Sequence, residues 1–209
     1  MKKIFLLCLI IPIVLHLQSV TIQAQSKVDA PSVLYHNEIK GDVHLIVGYT
    51  YKSTPSTSPF LKKVDIVQTG EIRRDIKFYS NNTSTEEWRS GNTRFASPTG
   101  NSDVIIVNYV TDDNQGYHDA VDFTELSWIT KESFRGIKEH ENKKCYIYQL
   151  DDLSALIDET TLNPVAFESK SMSVAYTYSN ATEKSLQLPE KYLKKIQQNR
   201  RANAGGPIE

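Results

Sequence analysis

The feature that most constrains this chain is alternation. In VHLIVGYTY, Val43, Leu45, Val47, Tyr49 and Tyr51 take every second place, with His44, Ile46, Gly48 and Thr50 between them. Side chains of an extended chain point to opposite faces in turn, so a period of two gives one greasier face and predicts a strand. LKKVDIVQT and EIRRDIKFYS, on either side of Gly70, read as a hairpin. On the second, Ile72, Arg74, Ile76 and Phe78 share one face, and Arg73, Asp75, Lys77 and Tyr79 share the other. A face half made of charge is most simply a solvated one.

The same pattern runs through most of the chain. EEWRSGNTRFAS reads as two short strands about Ser90-Gly91-Asn92, and the apolar run SDVIIVNYV as a strand buried on both faces. FRGIKEHENKKCYIYQL predicts strands over 134–140 and 143–150 with a turn at Glu141-Asn142. LSALIDE, PVAFESK and SMSVAYTYS continue the meander, and TEKSLQL closes it. Two stretches break the alternation. Val121, Leu126 and Ile129 cannot share a strand face, so 117–130 predicts a short helix with Asp119 as its N-cap. Pro189 opens PEKYLKKIQQNRR, a second helix with a narrow stripe of Tyr192, Leu193 and Ile196. The sum is a mainly β domain of about ten strands and two short helices, antiparallel because short turns join sequence neighbours.

The N-terminus bears on compartment. Lys2 and Lys3 precede an apolar run from Ile4 to Leu17, and Ala24 offers a small residue before a cut. That is the pattern of a secretory signal peptide, too short for a membrane helix. Cys8 lies inside the run after Leu7, so cleavage near Ala24 is expected in preference to lipidation at Cys8. Residues 1–24 are thus set apart, 25–200 are expected to form one domain, and 201–209, ending in GGPIE, to form a disordered tail. Beyond residue 24 there are 22 basic against 25 acidic residues, a net charge of −3. No strong field recruits nucleic acid, and membrane contact is at most peripheral. Cys145 is then the only cysteine, so packing must supply the stability. It reads as a small buried hydrophobe, with a reactive thiol or an intermolecular disulfide as alternatives.

ALIDETTLNPVAFES has a physical role in such a meander. Leu156 and Ile157 end a strand, Asp158 can accept from turn N–H groups, and Pro164 begins the returning strand, where a missing donor is tolerated. This hairpin also carries a resemblance. Ile157-Asp158-Glu159-Thr160-Thr161-Leu162-Asn163-Pro164-Val165 resembles the aspartate–threonine–proline hairpin of the LolA/RseB-like superfamily of outer-membrane lipoprotein carriers and their relatives. LQLPEKY is similar to that family's leucine–proline–glutamate close, and FRGIKEHENKKCYIYQL to its preceding hairpin. The resemblance covers residues 134–193, and the first half by strand pattern only. It implies a curved antiparallel half-barrel with one or two short helices on the concave side. It implies a non-catalytic, periplasmic or secreted protein of the bacterial envelope that holds a lipid, a lipid-modified protein or another hydrophobic ligand. An envelope-protein interaction or sensor module is the alternative on the same scaffold. QSKVDAPSVLYHNEIKGD departs from the carriers, which have an amphipathic helix there, and only 117–130 could serve as a lid.

Chemistry is sparse by comparison. His36, His44, His118 and His140 have no second His or Cys at metal spacing. Asp112, Asp113, Asn114, His118, Asp119 and Asp122 form an acidic cluster, but Tyr117 and Phe123 stand where an EF-hand needs Gly and Glu. A solvated turn with a helix cap is the plain reading; a cation site, or a metal-assisted hydrolase around His118 and Asp119, is the sharper one. No nucleophile elbow, phosphate loop or dinucleotide fingerprint occurs, so no cofactor and no metal is expected. Tyrosine is abundant, with eleven, and Tyr49/Tyr51, Tyr146/Tyr148 and Tyr176/Tyr178 are same-face pairs. Ordinary strand packing would explain them. With Val43, Leu45 and Val47 they are also the candidates for lining an apolar groove. Lys191, Lys194, Lys195, Arg200 and Arg201 make a basic end, suited to a helix C-terminus or to anionic head groups.

Overall fold

A computed structural model describes residues 29–91, 93–97, 106–109, 123–181 and 186–203. The strands are β1 (Val43–Tyr51), β2 (Leu61–Thr69), β3 (Ile72–Tyr79), β4 (Ser84–Ser90), β5 (Thr93–Ser97) and β6 (Ile106–Tyr109). After 3₁₀ turns at Thr124–Leu126 and Lys131–Ser133 come β7 (Phe134–His140), β8 (Lys143–Leu150), β9 (Leu153–Asp158), β10 (Pro164–Glu168) and β11 (Met172–Ser179). Helix α1 (Glu190–Asn203) ends the described chain, its last three residues lying within the expected tail.

All eleven strands lie in one antiparallel sheet, in the order β6-β5-β4-β3-β2-β1-β11-β10-β9-β8-β7. The protein is mainly β, and the sheet curves as a half-barrel without closing. It is two meanders joined by one long-range seam, where Leu45 faces Tyr178 and Val47 faces Tyr176. Turn chemistry explains the local joins. Glu141 and Asn142 both take positive φ, 49° and 63°, as a two-residue type I′ hairpin turn requires. Gly70, at φ 57°, turns β2 into β3. Asp158 accepts the N–H groups of Thr160 and Thr161 at 2.9 and 2.8 Å, and buried Pro164 opens β10.

Register sorts the core onto two faces. The concave side carries Leu45, Val47, Val64, Ile66, Tyr148, Ala155, Ile157, Phe167, Val174 and Tyr176. On the opposite face Val67, Trp88 and Phe95 meet Leu186, Leu188 and Tyr192. The Tyr192 ring lies 5.0 Å from Phe95 and 6.3 Å from Trp88, centroid to centroid.

Four expectations need correction or qualification. Helix α1 packs on the sheet face opposite the hollow, because Tyr192 and the leucines of LQL bury the Trp88–Phe95 stripe there. The stretch 117–130 holds a 3₁₀ turn, Thr124–Leu126, in its described part; Phe123, Leu126 and Ile129 all point into the concave core without a full helix. The Arg73/Asp75 face is not solvated, since the two side chains are 4% and 1% exposed. SDVIIVNYV supplies β6, Ile106–Tyr109, the terminal strand of the sheet order, and the burial expected for its side chains lies outside what is described.

Candidate functional site

Two segments cross the concave side. The first is the irregular stretch 33–41, of which Leu34, Tyr35 and Ile39 pack on the apolar core. It is tied down by polar contacts: the Tyr148 hydroxyl donates to the Leu34 carbonyl at 3.2 Å, and Gln68 Nε2 donates to the carbonyls of Ile39 and Gly41, both at 3.2 Å. The second is the 3₁₀ turn, which buries Phe123 and Leu126 and presents Thr124 and Glu125. The Tyr35 hydroxyl donates to the Leu126 carbonyl at 3.2 Å and joins the two.

Beneath them lies a hollow of about 320 Å³. Ligand sites span about 300–1,000 Å³, so this is a small one. Leu45, Val47, Val64, Ile66, Leu61 and Phe123 form its apolar wall. Asp75, Lys77, Tyr79 and Glu125 form a polar wall, with Tyr49 and Tyr176 between the two. It is therefore amphipathic rather than uniformly greasy.

The polar wall is built from β3 and β4. Arg73 and Asp75, two apart on one strand, share a face. Arg73 Nε donates to Asp75 Oδ1 at 2.6 Å, and Arg89 Nη2 lies 3.9 Å from Asp75 Oδ2. Lys77 Nζ donates to Glu87 Oε1 at 3.1 Å across the β3–β4 pair. Buried charge is tolerated when paired in this way.

Glu125 organises the tyrosines. The Tyr176 hydroxyl donates to Glu125 Oε1, and the Tyr176 ring meets Phe123 edge-on at 5.4 Å. Burial pushes the Tyr176 hydroxyl far above its ordinary range, and the Glu125 charge adds to that. Tyr49 and Tyr35 are raised by the same two causes in the same order. All three phenols stay protonated and available as donors.

The sequence-derived residues share one face, but the structure divides them. Leu45, Val47, Tyr49 and Tyr176 line the hollow. Val43 lies at the start of β1 opposite Gln68. Tyr51 packs edge-on to Phe60 at 5.0 Å, and Tyr146 to Phe134 at 5.9 Å. Tyr148 is fully buried, and Tyr178 packs against the core's edge. These five lie outside the lining. Asp75, Lys77, Tyr79, Phe123, Thr124 and Glu125 were missed as site residues. For Asp75, Lys77 and Tyr79 the signal is the half-charged face of β3, which alternation alone assigns to solvent; for Phe123, Thr124 and Glu125 it is the broken alternation of 117–130. Cys145 is free and buried, its thiol raised by burial. The His118/Asp119 and Asp112–Asp122 readings lie outside the described residues. Among the described residues no three His, Cys, Asp or Glu side chains gather as a metal site. Nor is any helix there long and apolar enough to cross a membrane.

No family model matches the chain. No curated protein matches it. Among solved structures it is similar to the Mycobacterium tuberculosis lipoprotein LppX, with 11% identity and a TM-score of 0.39, over 70% of this chain and 89% of that one.

Proposed function

We propose that this chain is a non-catalytic, exported envelope protein that binds a lipid, a lipid-modified protein or another amphiphile in the hollow of its half-barrel. The observation that carries the reading is the hollow itself, about 320 Å³ on the most apolar face of the sheet. Its lining joins an aliphatic and aromatic wall to a polar one in which Asp75 and Lys77 are already paired, a surface that holds a ligand rather than attacks it. Residues 1–24, read as an export signal, supply the compartment.

Magnitudes bound the ligand. A water occupies about 30 Å³, so the hollow has room for about ten heavy atoms. Burying a chain of about ten carbons gains about 8 kcal/mol at 0.8 per methylene. Association costs at least about 4 kcal/mol, so a tail alone would bind in the millimolar range. Tighter binding needs the polar wall.

Calorimetric titration with decanol tests this. Val47 lies on the hollow's floor, and Val47→Trp would fill it. The wild type should bind, and Val47→Trp should weaken binding by at least about tenfold, at an overpacking cost of about 1–3 kcal/mol in stability. Equal binding by both proteins, with near-ultraviolet circular dichroism confirming a folded variant, would remove the hollow as the site.

A further inference from the structure

The hollow's charges are not balanced alike. Asp75 Oδ1 accepts a hydrogen bond from Arg73 Nε at 2.6 Å, and Lys77 Nζ donates one to Glu87 Oε1 at 3.1 Å. Each has an opposite charge from the protein itself. Glu125 does not: its bonded neighbour is the neutral hydroxyl of Tyr176. No cationic side chain among the described residues forms an ion pair with it. This half-buried carboxylate lines the hollow from the 3₁₀ turn, beside the rings of Phe123 and Tyr176 and with Tyr49 in the same lining. The Tyr35 hydroxyl bonds the carbonyl of the next residue, Leu126, so three tyrosines gather about this turn.

A carboxylate in partial burial gains from a counter-charge, and aromatic rings attract cations through their electron-rich faces. A carboxylate or phosphate head would meet repulsion at the same place. The internally paired Lys77 could receive it only by giving up Glu87.

We infer that the ligand is an amphiphile with a cationic head, an alkylammonium. The ammonium sits against Glu125 and the rings of Tyr49 and Tyr176, and the chain runs over Val47, Val64 and Ile66. The inference rests on the hollow being a ligand site and adds the chemical class of what enters it.

Three probes of one chain length separate the ideas: decyltrimethylammonium, decanol and decanoate, each below its micelle concentration or solubility limit, titrated calorimetrically into the full chain. The cation should bind about tenfold more tightly than the anion, with the neutral alcohol between them. In Glu125→Gln the ratio of cation to anion affinity should fall to near one. An unchanged ratio in that variant, or decanoate as the tightest ligand of the wild type, overturns the inference. If Glu125→Gln does not fold, the wild-type order of the three probes decides alone. Binding of all three without preference sinks the cationic head and leaves the hollow; binding of none sinks the hollow as well.

Discussion

Arg73 and Asp75 illustrate what a single residue can and cannot disclose. Alternation along IRRDIKFY assigns them to one face, and the structure agrees. Whether that face meets water depends on what lies over it, and that is decided by segments far away in sequence. Tyr148 makes the same point from the other side. Its place in YIY marks it as one of a same-face tyrosine pair, yet its hydroxyl is spent on Leu34, 114 residues away. Burial raises that phenol from its ordinary 10.0 to about 12. The sign follows from linkage: the folded state favours the protonated phenol, so its contribution is fully present below pH 10 and lost as pH climbs from there toward 12. Urea unfolding midpoints should therefore drop steeply between about pH 10 and 11. In Tyr148→Phe part of that drop should vanish, at a cost near neutrality of about 1 kcal/mol for the lost hydrogen bond. An identical alkaline slope in the variant would show that Tyr148 does not titrate as described.

At the scale of elements, hairpins were the most legible parts. The joins at Glu141-Asn142 and around Asp158 follow from local backbone preference and from side chains that bond within three residues, all contained in a short window of sequence. Asp158→Ala leaves the Thr160 and Thr161 N–H groups to solvent. Chemical denaturation should register a loss of about 1–2 kcal/mol, with the m-value kept. No change would mean that Pro164 and the strand pairing fix the turn unaided. Helix α1 was legible as an element and not in its position. Its stripe of Tyr192, Leu193 and Ile196 demands an apolar partner but does not say which face of the sheet offers one. The half-helical pattern of 117–130 gave way to a 3₁₀ turn in its described part. Phe123, Leu126 and Ile129 each reach the core from a tighter backbone, so tertiary packing overrode helical period.

For the whole molecule, the decisive event is the β1–β11 seam. Eight residue pairs, from His44–Ser179 to Tyr51–Met172, join strands separated by most of the chain. The seam turns two ordinary meanders into one sheet long enough to curve, and it sets Val47 and Tyr176 side by side in the lining of the hollow. The segment over the hollow is held by fewer bonds: it is irregular and rests on the contacts of Tyr35, Tyr148 and Gln68 and on the His36 N–H to the Leu162 carbonyl at 2.9 Å. Hydrogen exchange should divide accordingly. Amides of β1 and β11 should exchange only through global unfolding, and those of 33–41 should open at lower free energy. Protection of 33–41 equal to that of the seam would make the covering a rigid part of the core rather than a movable one.

The sequence by itself determined what is short-ranged: where strands begin and end, which turns join them, and which side chains share a face. Sterics and hydrogen bonds acting over two to four residues control these, and their traces are period and turn chemistry. Only the tertiary structure decided which face closes on itself, that α1 covers the other, that a charged pair on β3 is buried, and that Glu125 meets Tyr176 at the hollow. Each of these depends on groups some tens to more than a hundred residues apart, and no local pattern encodes their meeting.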